Sequence, residues 1–116
     1  MKASLIIANY NKNQNLPILM ESILNQDLSK LEIIIVDDGS TDQSVDIIKQ
    51  YPVNLIQVEI NQGPAYCRNL GVSNSQGEIL IFCDSDIKLK MNSLRELLIP
   101  FQDKPIINKV MVITKI

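Results

Sequence analysis

Short apolar runs alternate with amphipathic helical stripes along the whole chain, and that alternation predicts βαβ units closing into a largely parallel sheet. Ala3-Ser4-Leu5-Ile6-Ile7-Ala8 is short, branched and nearly all apolar, as expected of a strand covered on both faces. Leu31 to Val36 and Glu78 to Cys83 repeat the pattern, Val53 to Ile60 alternates, and Val110-Met111-Val112-Ile113 within Ile106 to Ile116 supplies a fifth strand. Between them, Leu16, Leu19, Met20, Ile23 and Leu24 recur at helical spacing, with Asn15 as the expected cap and Pro17 in the first turn. Ser40-x-x-Gln43 reads as a capping box for a helix carrying Val45, Ile47 and Ile48, which Tyr51-Pro52 ends. Gly63-Pro64 opens a third helix running to about Ser75. Ser93-x-x-Glu96 caps a last one with Leu94, Leu97, Leu98 and Phe101 inward, which Pro100 kinks or shortens. The expected fold is α/β: a Rossmann-like, mostly parallel sheet of about five strands with helices on both faces.

At 116 residues with 46% apolar content, the chain makes one domain with a real core. No apolar run reaches the length of a membrane span, so a soluble cytoplasmic or membrane-peripheral protein is expected. Eleven basic residues against thirteen acidic ones, without a basic cluster, exclude an electrostatic footprint for nucleic acid. Histidine is absent, which removes the usual zinc sites and every mechanism built on an imidazole base. Cys67 and Cys83 are read as reduced, buried space-fillers.

Chemistry is concentrated where strands stop. In doubly wound sheets the strand C-termini share one edge, and ligands bind there where the strand order reverses. Asn9-Tyr10-Asn11, Asp37-Asp38-Gly39-Ser40 and Asp84-Ser85-Asp86 all fall on that edge. Two carboxylates one residue apart, without His or Cys, suit Mg²⁺ or Mn²⁺ held jointly with phosphate oxygens. An Asx-turn leaving a strand explains the same tripeptide equally well. The adjacent acids Asp37 and Asp38 repel each other with no evident structural return, so one is expected to accept a hydrogen bond from a base N–H or a ribose hydroxyl. Tyr10 is either a stacking platform or a half-buried loop aromatic. Arg68, early in the third helix, is placed to pair with phosphate or to hold one of the acids. Dinucleotide and P-loop glycine signatures are absent, and a serine triad lacks its histidine.

Ser4-Leu-Ile-Ile-Ala-Asn-Tyr-Asn11, Glu32-Ile-Ile-Ile-Val-Asp-Asp-Gly-Ser-Thr-Asp42, Cys67-Arg-Asn-Leu-Gly71 and Gly77-Glu-Ile-Leu-Ile-Phe-Cys-Asp-Ser-Asp86 together resemble the inverting family-two glycosyltransferases of GT-A fold, from residue 3 to about 115. The resemblance implies transfer of a sugar from a nucleotide-diphosphate donor, often a uridine one, to a glycan or lipid hydroxyl. It implies that Ala8 and Tyr10 line the base pocket, Asp38 binds the base with Asp37 supporting the turn, and Arg68 lies near the donor phosphates. The implied donor-binding set is Ala8, Tyr10, Asp37, Asp38, Arg68, Asp84 and Ser85. Asp84 and Asp86 form the implied metal set for Mg²⁺ or Mn²⁺, Asp86 foremost. Ala8 and Asn9 replace the more usual Pro-Thr before Tyr10.

The resemblance also implies that the general base and most of the acceptor pocket come from chain after the fifth strand. Residues 1–116 are therefore expected to be a single nucleotide-sugar-binding domain lacking the acceptor half, with no catalytic base assigned. Peripheral association with the inner face of the membrane, or pairing of two copies through an uncovered last strand, fits this expectation. Two other readings stand beside it. One is a non-catalytic nucleotide-binding or interaction module. The other is a receiver-like signalling domain, for which Lys115 is a poor match to the expected lysine and the acid pair follows the wrong strand.

Overall fold

β1 (Ala3–Asn9) is the middle of five parallel strands, flanked by β2 (Leu31–Asp38) and β4 (Ile79–Asp84), with β3 (Asn54–Val58) beyond β2 and β5 (Val110–Ile113) beyond β4. The computed structural model describes residues 2–26 and 30–102, and the backbone of 110–113. The Rossmann-like α/β fold expected from the alternation is therefore observed, and the strand order reverses between β1 and β4. Lys115 lies outside the described residues.

Strand alternation assigns the core. Leu5 and Ile7 of β1, Ile35 of β2 and Ile79 and Ile81 of β4 face one side and pack against Leu16, Leu19, Met20 and Ile23 of α1 (Leu16–Leu24). Ile48 of α2 (Ser44–Ile48) and Leu94 and Leu98 of α4 (Ser93–Leu98) join the same layer. The opposite face carries Ile6, Leu80 and Phe82, with Val72 of α3 (Pro64–Ser73) packed on them, and Ile34 and Val36 against Cys67 of α3. Each fully buried Leu or Ile is worth about 1.5–3 kcal/mol relative to exposure, so these layers are the chief favourable contribution to the fold.

The helix starts differ from the local cap signals. α2 begins at Ser44 rather than after Ser40, because the Ser40 hydroxyl donates to Asp37 Oδ1 at 2.7 Å. A buried carboxylate outcompetes a helix end for that hydroxyl, and Asp42 Oδ1 takes the Ser44 N–H instead, at 2.8 Å. Ser93 likewise is no cap: α4 is preceded by Asn92 in left-handed geometry, φ 64°, and the Ser93 hydroxyl has no hydrogen-bond partner. Asn15 occupies the cap position of α1 without a side-chain bond. Leu24 points outward, and Pro100 falls in a short 3₁₀ turn, Ile99–Phe101, that ends α4.

Candidate functional site

The register brings three strand ends level. Ala8 pairs with Val36 on one side and with Asp84 on the other, so Asn9, Asp38 and Asp84 end their strands side by side at the reversal point. A cleft of about 320 Å³ opens there, and six of the residues singled out from sequence line it: Ala8, Tyr10, Asp38, Asp84, Ser85 and Asp86. Asp37 and Arg68 do not.

Asp37 and Asp38 leave opposite faces of β2, as successive strand residues must. Their expected mutual repulsion is relieved by that geometry. Asp37 is 2% exposed and turned away from the cleft: Oδ1 accepts the Asn9 amide at 3.0 Å and the Ser40 hydroxyl at 2.7 Å, and Oδ2 accepts the Ser40 N–H at 3.0 Å. These contacts scaffold the turn, the supporting role the resemblance implies for Asp37, and Asp37 does not line the cleft. Asp38 reaches the cleft floor, where Oδ1 accepts the Gln62 N–H at 2.8 Å and Oδ2 the Gly63 N–H at 2.9 Å. The Cys67 thiol also donates to it. Burial first, then this bond and the negative charge of Asp38, push the thiol up to about 12. Burial, with Asp84 and Asp86 nearby, pushes Cys83 up to about 12 as well, so both thiols stay protonated and inert at neutral pH.

The loop after β1 is pinned to the loop after β2. Asn11, at φ 52°, accepts the Thr41 N–H through Oδ1 at 2.8 Å while its own N–H reaches the Ser40 hydroxyl at 3.0 Å. Asp42 Oδ2 accepts the Asn13 N–H at 3.1 Å. Burial opposes ionisation of Asp42, but the bonds from Ser44 and Asn13 outweigh it and hold the carboxyl below its usual range. These bonds present Tyr10, 46% exposed, at the cleft wall with its ring free to meet a ligand.

Asp84 and Asp86 stand exposed at the mouth, each opposite a cation. Arg68 Nη2 lies 3.9 Å from Asp84 Oδ1, which puts the guanidinium on the rim, and Lys12 Nζ lies 3.8 Å from Asp86 Oδ2. No group of three or more His, Cys, Asp or Glu side chains forms a metal cage among the described residues. Two carboxylates with all-oxygen donors nevertheless fit Mg²⁺ or Mn²⁺, which keep waters and share their coordination with phosphates.

The cleft also holds Asn9, Lys12, Asn61, Gly63 and Pro64, none of which carried a site assignment from sequence. Asn9 ends an apolar strand with a polar side chain, a readable signal. Its amide nitrogen faces Asp37, an obligate acceptor, which leaves its buried Oδ1 without a hydrogen-bond partner. Lys12 and the 61–64 segment gave no such signal, since only the folded loops carry them to the strand ends.

The sequence pattern of Glycosyl transferase family 2 matches residues 4–115. The chain belongs to this family. A Haemophilus influenzae glycosyltransferase is 37% identical over 108 residues, covering 90% of this chain and 36% of that protein. The Staphylococcus aureus poly(ribitol-phosphate) beta-N-acetylglucosaminyltransferase TarS is 34% identical over 103 residues, covering 83% of this chain and 18% of TarS. The crystal structure of TarS 1–349 in complex with UDP-GlcNAc superposes with a TM-score of 0.80 at 31% identity, over 85% of this chain and 30% of that one. The fold is shared as well with a Pyrobaculum calidifontis mannosyltransferase in complex with GDP-Man and Mn²⁺, TM-score 0.80 at 21% identity, over 90% of this chain and 33% of that one. The family-two chain described here thus spans about a third or less of these relatives. Among its described residues no helix is long and apolar enough to cross a membrane.

Proposed function

We propose that this chain is the donor-binding portion of a family-two glycosyltransferase, and that its cleft takes a nucleotide-diphosphate sugar, uridine-linked, for inverting transfer to a glycan or lipid hydroxyl. The observation that carries this reading is the convergence of Tyr10, Asp38, Asp84 and Asp86 on one cleft at the reversal point of a parallel sheet. The UDP-GlcNAc complex of TarS supports the choice of donor class.

In this reading the Tyr10 ring stacks on the base. Asp38 keeps lone pairs for a base N–H even after accepting two backbone N–H groups, since a carboxylate offers about four acceptor sites. Arg68, on the rim, faces the diphosphate. Asp84 and Asp86 hold a divalent cation, which supplies Lewis-acid neutralisation of the charge developing on the departing diphosphate. The proposal includes a general base and an acceptor pocket outside residues 1–116, and action on the cytoplasmic side, close to membrane-held acceptors.

Titration calorimetry with UDP, with and without Mn²⁺, tests the reading. Expected is saturable UDP binding that Mn²⁺ strengthens by about tenfold or more, a gain that Asp86→Ala removes. Absence of binding by UDP and by other nucleoside diphosphates at millimolar concentration, with Mn²⁺ present, overturns it.

A further inference from the structure

We propose that Lys12 is a built-in counter-ion of Asp86 that competes with the divalent cation and passes to the donor diphosphate once the metal has entered, so that metal and nucleotide bind cooperatively. The inference rests on the donor-binding reading above.

Lys12 and Asp86 meet at 3.8 Å with side chains 46% and 47% exposed, so the pair is weak, solvent-screened and easily exchanged. The backbone beneath Lys12 is held firmly: its carbonyl accepts the N–H groups of Asn15 and Leu16, each at 3.0 Å, and its neighbours Asn11 and Asn13 are tied to residues 40–42. Only the side chain is left to swing. It lines the same cleft as Tyr10, Asp38 and Asp84, so the arc available to the ammonium lies over the ground assigned to the donor.

Charge balance then couples the ligands. Without ligands, the Asp84 and Asp86 carboxylates are offset by Arg68 and Lys12, each cation coming from a different element. A divalent cation alone leaves the four-residue group with two surplus positive charges, and a doubly negative sugar nucleotide alone leaves it with two surplus negative ones. Both together restore neutrality. Like charge drives Lys12 off Asp86 as the metal arrives, and the diphosphate is the anion that the donor brings into the cleft Lys12 lines. By linkage, whatever the metal gives the nucleotide, the nucleotide returns to the metal.

Calorimetric titration of the 116-residue chain with Mn²⁺ alone, UDP alone and UDP in saturating Mn²⁺ tests this on wild type, Lys12→Gln and Lys12→Arg. Lys12→Gln is expected to bind Mn²⁺ alone about two- to fivefold more tightly, as loss of an exposed ion-pair competitor allows. The same variant is expected to bind UDP less tightly, with a smaller enhancement by Mn²⁺. Lys12→Arg keeps the charge and is expected to track wild type in Mn²⁺ affinity. Unchanged or weaker Mn²⁺ binding in Lys12→Gln overturns the proposal, as does an equal gain in Lys12→Arg, because the effect would then be steric. Wild type that binds Mn²⁺ but neither UDP nor another nucleoside diphosphate overturns the donor-binding reading and with it the transfer of Lys12 to a diphosphate, whatever the Mn²⁺ affinities of the variants, and wild type that binds neither metal nor nucleotide overturns both.

Discussion

Asp38 holds Gly63 in place: Oδ2 of the carboxylate accepts the Gly63 backbone N–H at 2.9 Å, while Gly63 turns into α3 at φ 99°, a region where a side chain is strained. With Oδ1 taking the Gln62 N–H, one buried carboxylate both closes the end of β2 onto the start of α3 and forms part of the cleft. Fold and site therefore share this residue.

Asp38→Asn separates the two acceptor duties. The amide keeps one acceptor oxygen and turns an NH₂ toward a backbone N–H, so the variant is expected to lose about 1–3 kcal/mol of stability. Urea unfolding followed by circular dichroism measures this. A variant as stable as wild type would show that the backbone bond lost to the NH₂ group contributes nothing.

Gln26 fastens the segment that follows Asp86. Its amide nitrogen donates to the carbonyls of Ser22 at 3.1 Å and Lys90 at 2.8 Å, and its oxygen accepts the Leu94 N–H at 3.2 Å. Gln26→Ala strands these groups in a buried setting and is expected to cost about 1–3 kcal/mol. Hydrogen exchange should accelerate at the Leu94 amide while the amides of β1 remain protected.

Gly77 lies at the other end of the sheet from the cleft. Its N–H donates to the Ser4 hydroxyl at 2.8 Å, and a Cβ there would sit 2.6 Å from the Ser4 nitrogen and 2.8 Å from the Ala3 carbonyl carbon. Backbone has to move to admit it. Gly77→Ala is expected to lower stability by about 1–3 kcal/mol, in the range of overpacked cores, with UDP affinity of the folded protein unchanged. Thermal melts and titration read the two separately.

Cys67 makes the fold sensitive to alkali. Burial, then the bond to Asp38 and its charge, raise the thiol from 9.0 to about 12 in the folded chain. The folded state thus favours the protonated form, and its contribution is fully present below pH 9.0 and lost as pH rises toward 12. Stability measured in urea from pH 7 upward is expected to fall above that lower bound, and less steeply in Cys67→Ala. Native protein at neutral pH should leave both thiols unmodified by a thiol reagent that labels them in urea.

Much of the architecture was readable because burial imposes composition. Strands β1, β2 and β4, covered on both faces, had to be apolar and branched along their length, and α1 had to carry a one-sided stripe. The caps were misread for a matching reason. Ser40 and Ser93 have the right type and spacing for helix starts, but a hydroxyl bonds to whatever acceptor the tertiary structure supplies, and for Ser40 that was Asp37. Asp37 itself was grouped with Asp38 because neighbours in sequence look like partners, whereas pleating sends them to opposite faces.

Residue order alone determined a parallel sheet with polar clusters at three strand ends, two of them acidic, since the apolar periods and the polar stops that encode them are local. Which acid enters the cleft, that Lys12 and Asn61 join it, and that Arg68 waits on its rim were decided only by loops folding back across the sheet. Those placements depend on contacts between segments far apart in the chain, whose free energies no local pattern records.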